Sequence, residues 1–208
     1  MTIMSRLKSA TADLHRSAEA SPLQSQLVKG LLPREGYVSF LGQMYLIHAA
    51  MEQAIRAHSA EHPGFAAVLR AYHWREPQLR EDLVFLGADL GAITPADATT
   101  AMLADIERAA HEQPVALLGM LYVMEGSTNG SKFIAAAIRK AYEFGDGPGT
   151  AYLDPHGDLQ KERWSTFKRD MDGVGFDEAE SLAIIDAAMG VFRSVKELSD
   201  ELSEPVGV

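Results

Sequence analysis

Three histidine–carboxylate pairs sit one helical turn apart in this chain: His15/Glu19, His48/Glu52 and Glu107/His111. At that spacing both side chains fall on one helix face, where the carboxylate can accept a hydrogen bond from the imidazole. Such pairs commonly serve as surface salt bridges worth little, and that is the expectation for His48/Glu52 and Glu107/His111. His15 differs because Leu7, Thr11, Leu14 and Ala18 make its helix face otherwise apolar. A histidine in that setting is either a satisfied core residue or a neutral imidazole that binds a metal through one nitrogen while Glu19 orients the other.

The second chemical feature is an interruption in the most apolar helical run, Val115 to Tyr142, by Gly126-Ser127-Thr128-Asn129-Gly130. A mid-helix glycine costs roughly 1 kcal/mol against alanine, and the polar residues between the two add a weaker penalty. Such a stretch marks either a kink that lets another helix pack tightly or a place where backbone must approach something closely. Spacing alone leaves both open. Met44, Met51, Met120 and Met124 read as core filler.

The elements that must hold these residues are helices. The first is expected over Ser5–Glu19. Ser21-Pro22-Leu23-Gln24 opens a short one that Gly30 can close, and Pro33 to His58 forms a longer one with a core face of Tyr37, Phe40, Leu41, Met44 and Ile47. Others are expected over 76–88, from Asp97 to about Glu112, through the glycine-bearing run, and over 159–171 and 177–202. The glycine- and proline-rich stretch from Phe144 to His156 reads as an exposed loop. No stretch alternates convincingly as a strand would. The expectation is an all-α single domain over 1–208, with a flexible tail over about 203–208.

The chain has 208 residues, enough for a real core, and no cysteine, which excludes disulfides, thiolate metal sites and a cysteine nucleophile. Residues 1–10 lack the apolar core of a signal peptide, and no run approaches the roughly 18 apolar residues of a membrane span. A soluble, cytoplasmic protein is expected. A formal net charge of -10 argues against nucleic acid or anionic lipid as partner.

Two stretches resemble one known family. Leu7-Lys8-Ser9-Ala10-Thr11-Ala12-Asp13-Leu14-His15-Arg16-Ser17-Ala18-Glu19 is similar to the N-terminal helix of the haem oxygenases. Leu121-Tyr122-Val123-Met124-Glu125-Gly126-Ser127-Thr128-Asn129-Gly130 resembles the distal helix of the bacterial, biliverdin-producing branch. Each motif alone is weak; the two together, in the family's order, are specific.

The resemblance implies a helical bundle with a kinked distal helix and a haem lying between that helix and the first. His15 would be the proximal iron ligand, supported by Glu19, with Gly126, Ser127 and Gly130 on the catalytic face. Lys8, and on a later helix Lys168 and Arg169, would meet the haem propionates. Haem would be both cofactor and substrate, cleaved with dioxygen and an external reductant to biliverdin, ferrous iron and carbon monoxide. Electrons would come from a partner such as a ferredoxin or flavoprotein reductase. The chain departs from the family at two positions. Ser127 stands where animal enzymes carry an aspartate, and Asn129 where the bacterial branch has an apolar residue. Two alternatives remain: a non-catalytic haem carrier, and a non-haem di-iron oxidase using Glu52, Glu107 and His111. The latter lacks the repeated Glu-x-x-His pair of di-iron bundles.

Overall fold

The helical periodicity is realised through most of the chain. The computed structural model describes residues 1–203, so the expected tail lies outside the described residues from 204 onward. Helix α1 spans Ile3–Glu19, α2 Pro22–Lys29, α3 Arg34–His58, α4 Pro63–Val68 and α5 Glu76–Phe85. They are followed by α6 Asp97–Glu112, α7 Leu117–Tyr142, α8 Gln160–Gly173 and α9 Glu178–Glu201. No strand occurs among the described residues. The short α4 and a 3-10 turn at Ala71–His73 lie in a stretch for which the sequence pattern names no element.

Local chemistry explains several boundaries. The Ser21 side chain accepts the Gln24 N–H at the start of α2, and Gly30 ends that helix in the left-handed region at φ 64°. Asp177 and Glu180 form a reciprocal capping box at the start of α9. Two other helix starts are capped from far away. The Glu201 carboxylate at the end of α9 accepts the N–H groups of Asp97 and Ala98, both at 3.0 Å. Glu52, inside α3, accepts those of Arg75 and Glu76 at 2.6 and 2.9 Å. Each carboxylate meets donors that a helix N-terminus leaves without an internal partner.

Helix α9 is the strut of the bundle, packing along α1, α7 and α6, while α3 packs against α5 and α6. All of these helices contribute to one continuous apolar core. Helix α7 packs tightly against α9 at Gly119, where a Cβ would lie 1.9 Å from the Ile184 carbonyl oxygen. Only glycine fits there, and this is the packing glycine of α7.

Helix α7 runs continuously through all five residues of Gly126–Gly130. The polar side chains bond back onto their own helix. Ser127 Oγ donates to the Met124 carbonyl at 2.8 Å, Thr128 Oγ1 to that of Glu125 at 2.6 Å, and Asn129 Nδ2 to that of Gly126 at 2.9 Å. These bonds occupy the hydrogen-bonding groups that would otherwise compete with the helix.

The loop from Phe144 to His156 is exposed only in its first half; Gly149, Thr150, Leu153 and His156 are buried. The cause is Asp82 on α5. Its Oδ1 accepts the N–H groups of Gly149 and Ala151 at 2.7 and 3.0 Å, and its Oδ2 that of Tyr152 at 2.9 Å. Tyr37 Oη adds a bond to the Gly149 carbonyl at 2.7 Å. Gly149 itself has φ 94°, and a Cβ there would meet the Phe85 ring at 2.9 Å. Asp82→Ala strands three loop donors, each of which costs about 1 kcal/mol or more. The variant should therefore lose roughly 3 kcal/mol in urea denaturation, and a loss under 1 kcal/mol would show that the loop is held by its other contacts.

Candidate active site

Helices α1 and α7 face each other across a cleft with two lobes that meet at His15. The outer lobe, about 700 Å³, is lined by Lys8, Thr11, His15, Tyr122, Trp164 and Lys168, among others. The inner lobe, about 460 Å³, runs under Gly126–Ser131 and ends at His48, Arg75 and Tyr152.

His15 is not a core residue. Its side chain is 51 % exposed and opens into both lobes, at the edge of the stripe buried by Leu7, Thr11 and Ala18. Glu19 Oε2 lies 3.3 Å from His15 Nδ1, and the Phe192 ring of α9 meets the imidazole edge-on with centroids 5.4 Å apart. With Nδ1 facing a carboxylate, Nε2 is the nitrogen left to bind a ligand.

Opposite it, the two glycines answer the question their spacing left open. A Cβ at Gly130 would meet nothing within 4 Å, and one at Gly126 only Trp164 Cη2, at 3.5 Å. Neither glycine admits a neighbouring helix; both leave the cleft wall bare. Ser127 and Asn129 line the inner lobe too, although the Ser127 hydroxyl proton is committed to the Met124 carbonyl.

The cations expected at the mouth come together. Lys8 of α1 and Lys168 and Arg169 of α8 all line the outer lobe, joined by Arg16. Arg169 is paired with Asp170 at 3.0 Å, and Lys168 Nζ sits 5.9 Å from the Trp164 ring centroid. Asp172 shares this lobe, with its Oδ1 accepting the Met4 N–H at 3.0 Å. Lys140, by contrast, is on a solvated face.

The polar end of the inner lobe is what the motifs do not show. His48 and Glu52 are 1 % exposed, so the expected surface pair is a buried one: Nδ1 lies 3.6 Å from Glu52 Oε1, while Nε2 faces Tyr152 Oη at 3.4 Å. Burial pushes the His48 imidazole below its ordinary pKa, with Glu52 opposing. The signal was present, since Phe40, Met44, His48 and Glu52 share one stripe at four-residue intervals. Arg75, only 2 % exposed, and Tyr152 come from segments without any periodic pattern. The third pair, Glu107/His111, is exposed as expected.

Behind this wall lies His73, also buried. Its Nδ1 accepts the Arg70 N–H at 3.1 Å, and Nε2 has no partner. Burial is the main reason its pKa falls to about 4, with Glu125 opposing and Arg75 adding to the fall. The unfolded chain takes up this proton near pH 6.5 and the native protein only near pH 4, so stability drops as pH falls between them. His73→Asn keeps an acceptor for Arg70 but cannot titrate. Between pH 7 and pH 5 wild type should lose about 2 kcal/mol more than the variant in urea denaturation, and parallel losses would contradict this.

The comparisons with known proteins agree with the geometry. The family model described as Heme oxygenase matches residues 1–201. Heme oxygenase 1 of Nostoc sp. is 24% identical over 215 residues, covering 99% of this chain and 90% of that protein. Its Synechocystis sp. counterpart is 24% identical over 217 residues, covering 100% and 89%. Among solved structures, heme oxygenase-1 of Synechocystis in complex with heme superposes with a TM-score of 0.88, at 24% identity over 98% of this chain and 93% of that one. Heme oxygenase of Leptospira interrogans gives 0.89, at 21% identity over 97% and 100%. These structural likenesses establish the fold, and the family match across nearly the whole length decides membership: the chain belongs to the haem oxygenase family.

Proposed function

We propose that this protein is a haem-degrading monooxygenase that converts haem to biliverdin, ferrous iron and carbon monoxide with dioxygen and an external reductant. The observation that carries this reading is the bare strip at Gly126 and Gly130 facing a half-exposed histidine across an open cleft. A flat, mostly apolar ligand with a metal at its centre and carboxylates at one edge fits that shape and charge. Bound haem supplies the iron that activates dioxygen and the ring carbon that is oxidised.

The chain's own residues then divide the work. His15 Nε2 would hold the haem iron, with Glu19 orienting the imidazole from Nδ1. Lys8, Lys168 and Arg169 receive the propionates at the mouth. Gly126 and Gly130 keep side chains out of the cleft where the ligand would lie, and Ser127 offers that wall an acceptor. His48, Arg75 and Tyr152 make the inner end polar, so water and protons can be held there within an otherwise apolar lobe. An electron-donor protein such as a ferredoxin or flavoprotein reductase supplies the electrons. No helix among the described residues is long and apolar enough to cross a membrane.

The di-iron alternative does not survive the structure. Glu52 is buried beneath α5 while Glu107 and His111 lie on an exposed face of α6, and no three potential metal ligands cluster among the described residues. The test of the proposal is a hemin titration followed by reductant under air. One-to-one binding and release of biliverdin are expected, whereas binding without ring cleavage would make the protein a carrier.

The mouth gives a separate prediction. Lys8→Glu should weaken hemin binding roughly fivefold, because a partly solvated ion pair is worth up to about 1 kcal/mol. Lys140→Glu, with the same charge change on a solvated face, should leave affinity unaltered. Equal effects in both would reduce Lys8 to general electrostatics.

A further inference from the structure

We propose that Glu125 and His156 form a clamp that fixes the Arg75 guanidinium at the inner end of the cleft, and that both are positioning residues for the oxidation. This rests on the haem oxygenase reading of the cleft. Of the three residues only Arg75 lines the inner lobe; the other two stand behind it. All three are buried, at 2 %, 3 % and 5 % exposure, and they come from separate segments. Arg75 precedes α5, Glu125 is in α7, and His156 closes the Phe144–His156 loop.

The contacts form a closed circuit. Arg75 Nη2 donates to Glu125 Oε1 at 2.7 Å, and His156 Nε2 lies 3.1 Å from Glu125 Oε2. Arg163 Nη1 lies 2.7 Å from His156 Nδ1. Arg75 Nη2 also lies 2.8 Å from His156 Nε2, so the imidazole sits between two guanidinium groups with the Glu125 carboxylate beside it. Arg163 stacks over the Tyr72 ring at 4.5 Å, and the Tyr72 carbonyl accepts Arg75 Nη1. Glu125 thus meets Arg75 on one oxygen and His156 on the other, and Arg75 is held through both Nη atoms. Burial alone would push the Glu125 carboxyl up, but the His156 bond and the Arg75 charge hold it below its usual range.

The arrangement suits geometry better than stability. A buried ion pair seldom outperforms well-packed apolar side chains in stability, but it does specify where a charge sits. Here the charge sits at the inner end of the lobe. His156 also ties the pinned loop, which supplies Tyr152 and Leu153 to the same lobe, to the helix that bears the glycines.

The test uses Glu125→Gln, His156→Leu and His156→Gln, the last of which can place an amide donor where Nε2 stood. In the ligand-free protein, arginine side-chain NMR should show the Arg75 Nη protons as resolved, slowly exchanging signals. Glu125→Gln and His156→Leu should average them, and His156→Gln should restore them in part. In the hemin-loaded protein, releasing the cation should move the pH midpoint of the ferric spectral transition upward by half a unit or more. The single-turnover rate should fall at least tenfold, while hemin affinity changes less than threefold. Variants that lower the melting temperature but leave the Arg75 signals and the spectral midpoint unchanged would make the cluster purely structural and overturn the proposal. Wild-type protein that fails to bind hemin would instead sink the functional reading, and the ligand-free NMR would still decide whether the clamp exists.

Discussion

His15→Ala protein is expected to fold normally and to lose both the histidine-ligated hemin spectrum and turnover. The side chain is half exposed and meets the Phe192 ring only by an edge, so truncation removes little burial. What it removes is the only imidazole on the α1 wall of the cleft, and no cysteine is present anywhere to replace it. Turnover should fall by on the order of a hundredfold or more, equivalent to at least about 2.7 kcal/mol of barrier. Added imidazole should restore part of the spectrum by occupying the space vacated. Glu19→Ala should cost only roughly tenfold, because it takes away orientation and basicity rather than the bond. Unchanged iron ligation in His15→Ala would show that another residue holds the metal.

Replacing the cleft glycines should separate stability from activity in opposite directions. Nothing lies within 4 Å of a Cβ at Gly130, and only the end of the Trp164 ring is near one at Gly126, at 3.5 Å. Both positions are interior to an unbroken helix, where leucine is favoured over glycine by roughly 0.5–1 kcal/mol. Gly126→Leu and Gly130→Leu should therefore melt at or above the wild-type temperature in the ligand-free state. Their turnover should collapse, since the new side chain occupies the face opposite His15. Gly119→Ala is the contrasting case: its Cβ would collide with the Ile184 backbone, so it should lose stability before activity can be asked about. Ser127→Ala should stay within about tenfold of wild type, the most that one neutral hydrogen bond of about 0.5–1.5 kcal/mol can supply. Single-turnover haem loss and thermal melting measure all four. Full activity in both leucine variants would mean that the bare strip does not face the substrate.

Local sequence pattern accounts for the helices and for the residues that line the α1 and α7 walls of the cleft. Periodicity and capping residues are local, so α1, α2, α3, α5, α6, α7, α8 and α9 were legible to within a few residues. His15 with Glu19, and Gly126 with Gly130, were legible because each motif lies within one helix and its spacing alone puts it on one face. What the glycines are for was not legible: packing and exposure to a cleft need the same residue. The fold separates them, placing Gly119 against α9 and Gly126 and Gly130 on the cleft.

Where the acidic side chains go follows from long-range packing instead. Glu201 caps α6, Glu52 caps α5, Asp82 pins a loop, and Glu125 meets Arg75 and His156. Each pairing joins residues far apart in the chain, and no periodicity connects a carboxylate in one element to the unsatisfied N–H groups or buried cation of another. A buried donor must find an acceptor, but the chain's order does not say which. Arg75, Tyr152 and His156 were invisible for that reason: they lie outside regular helices, and their burial follows from what reaches them across the fold.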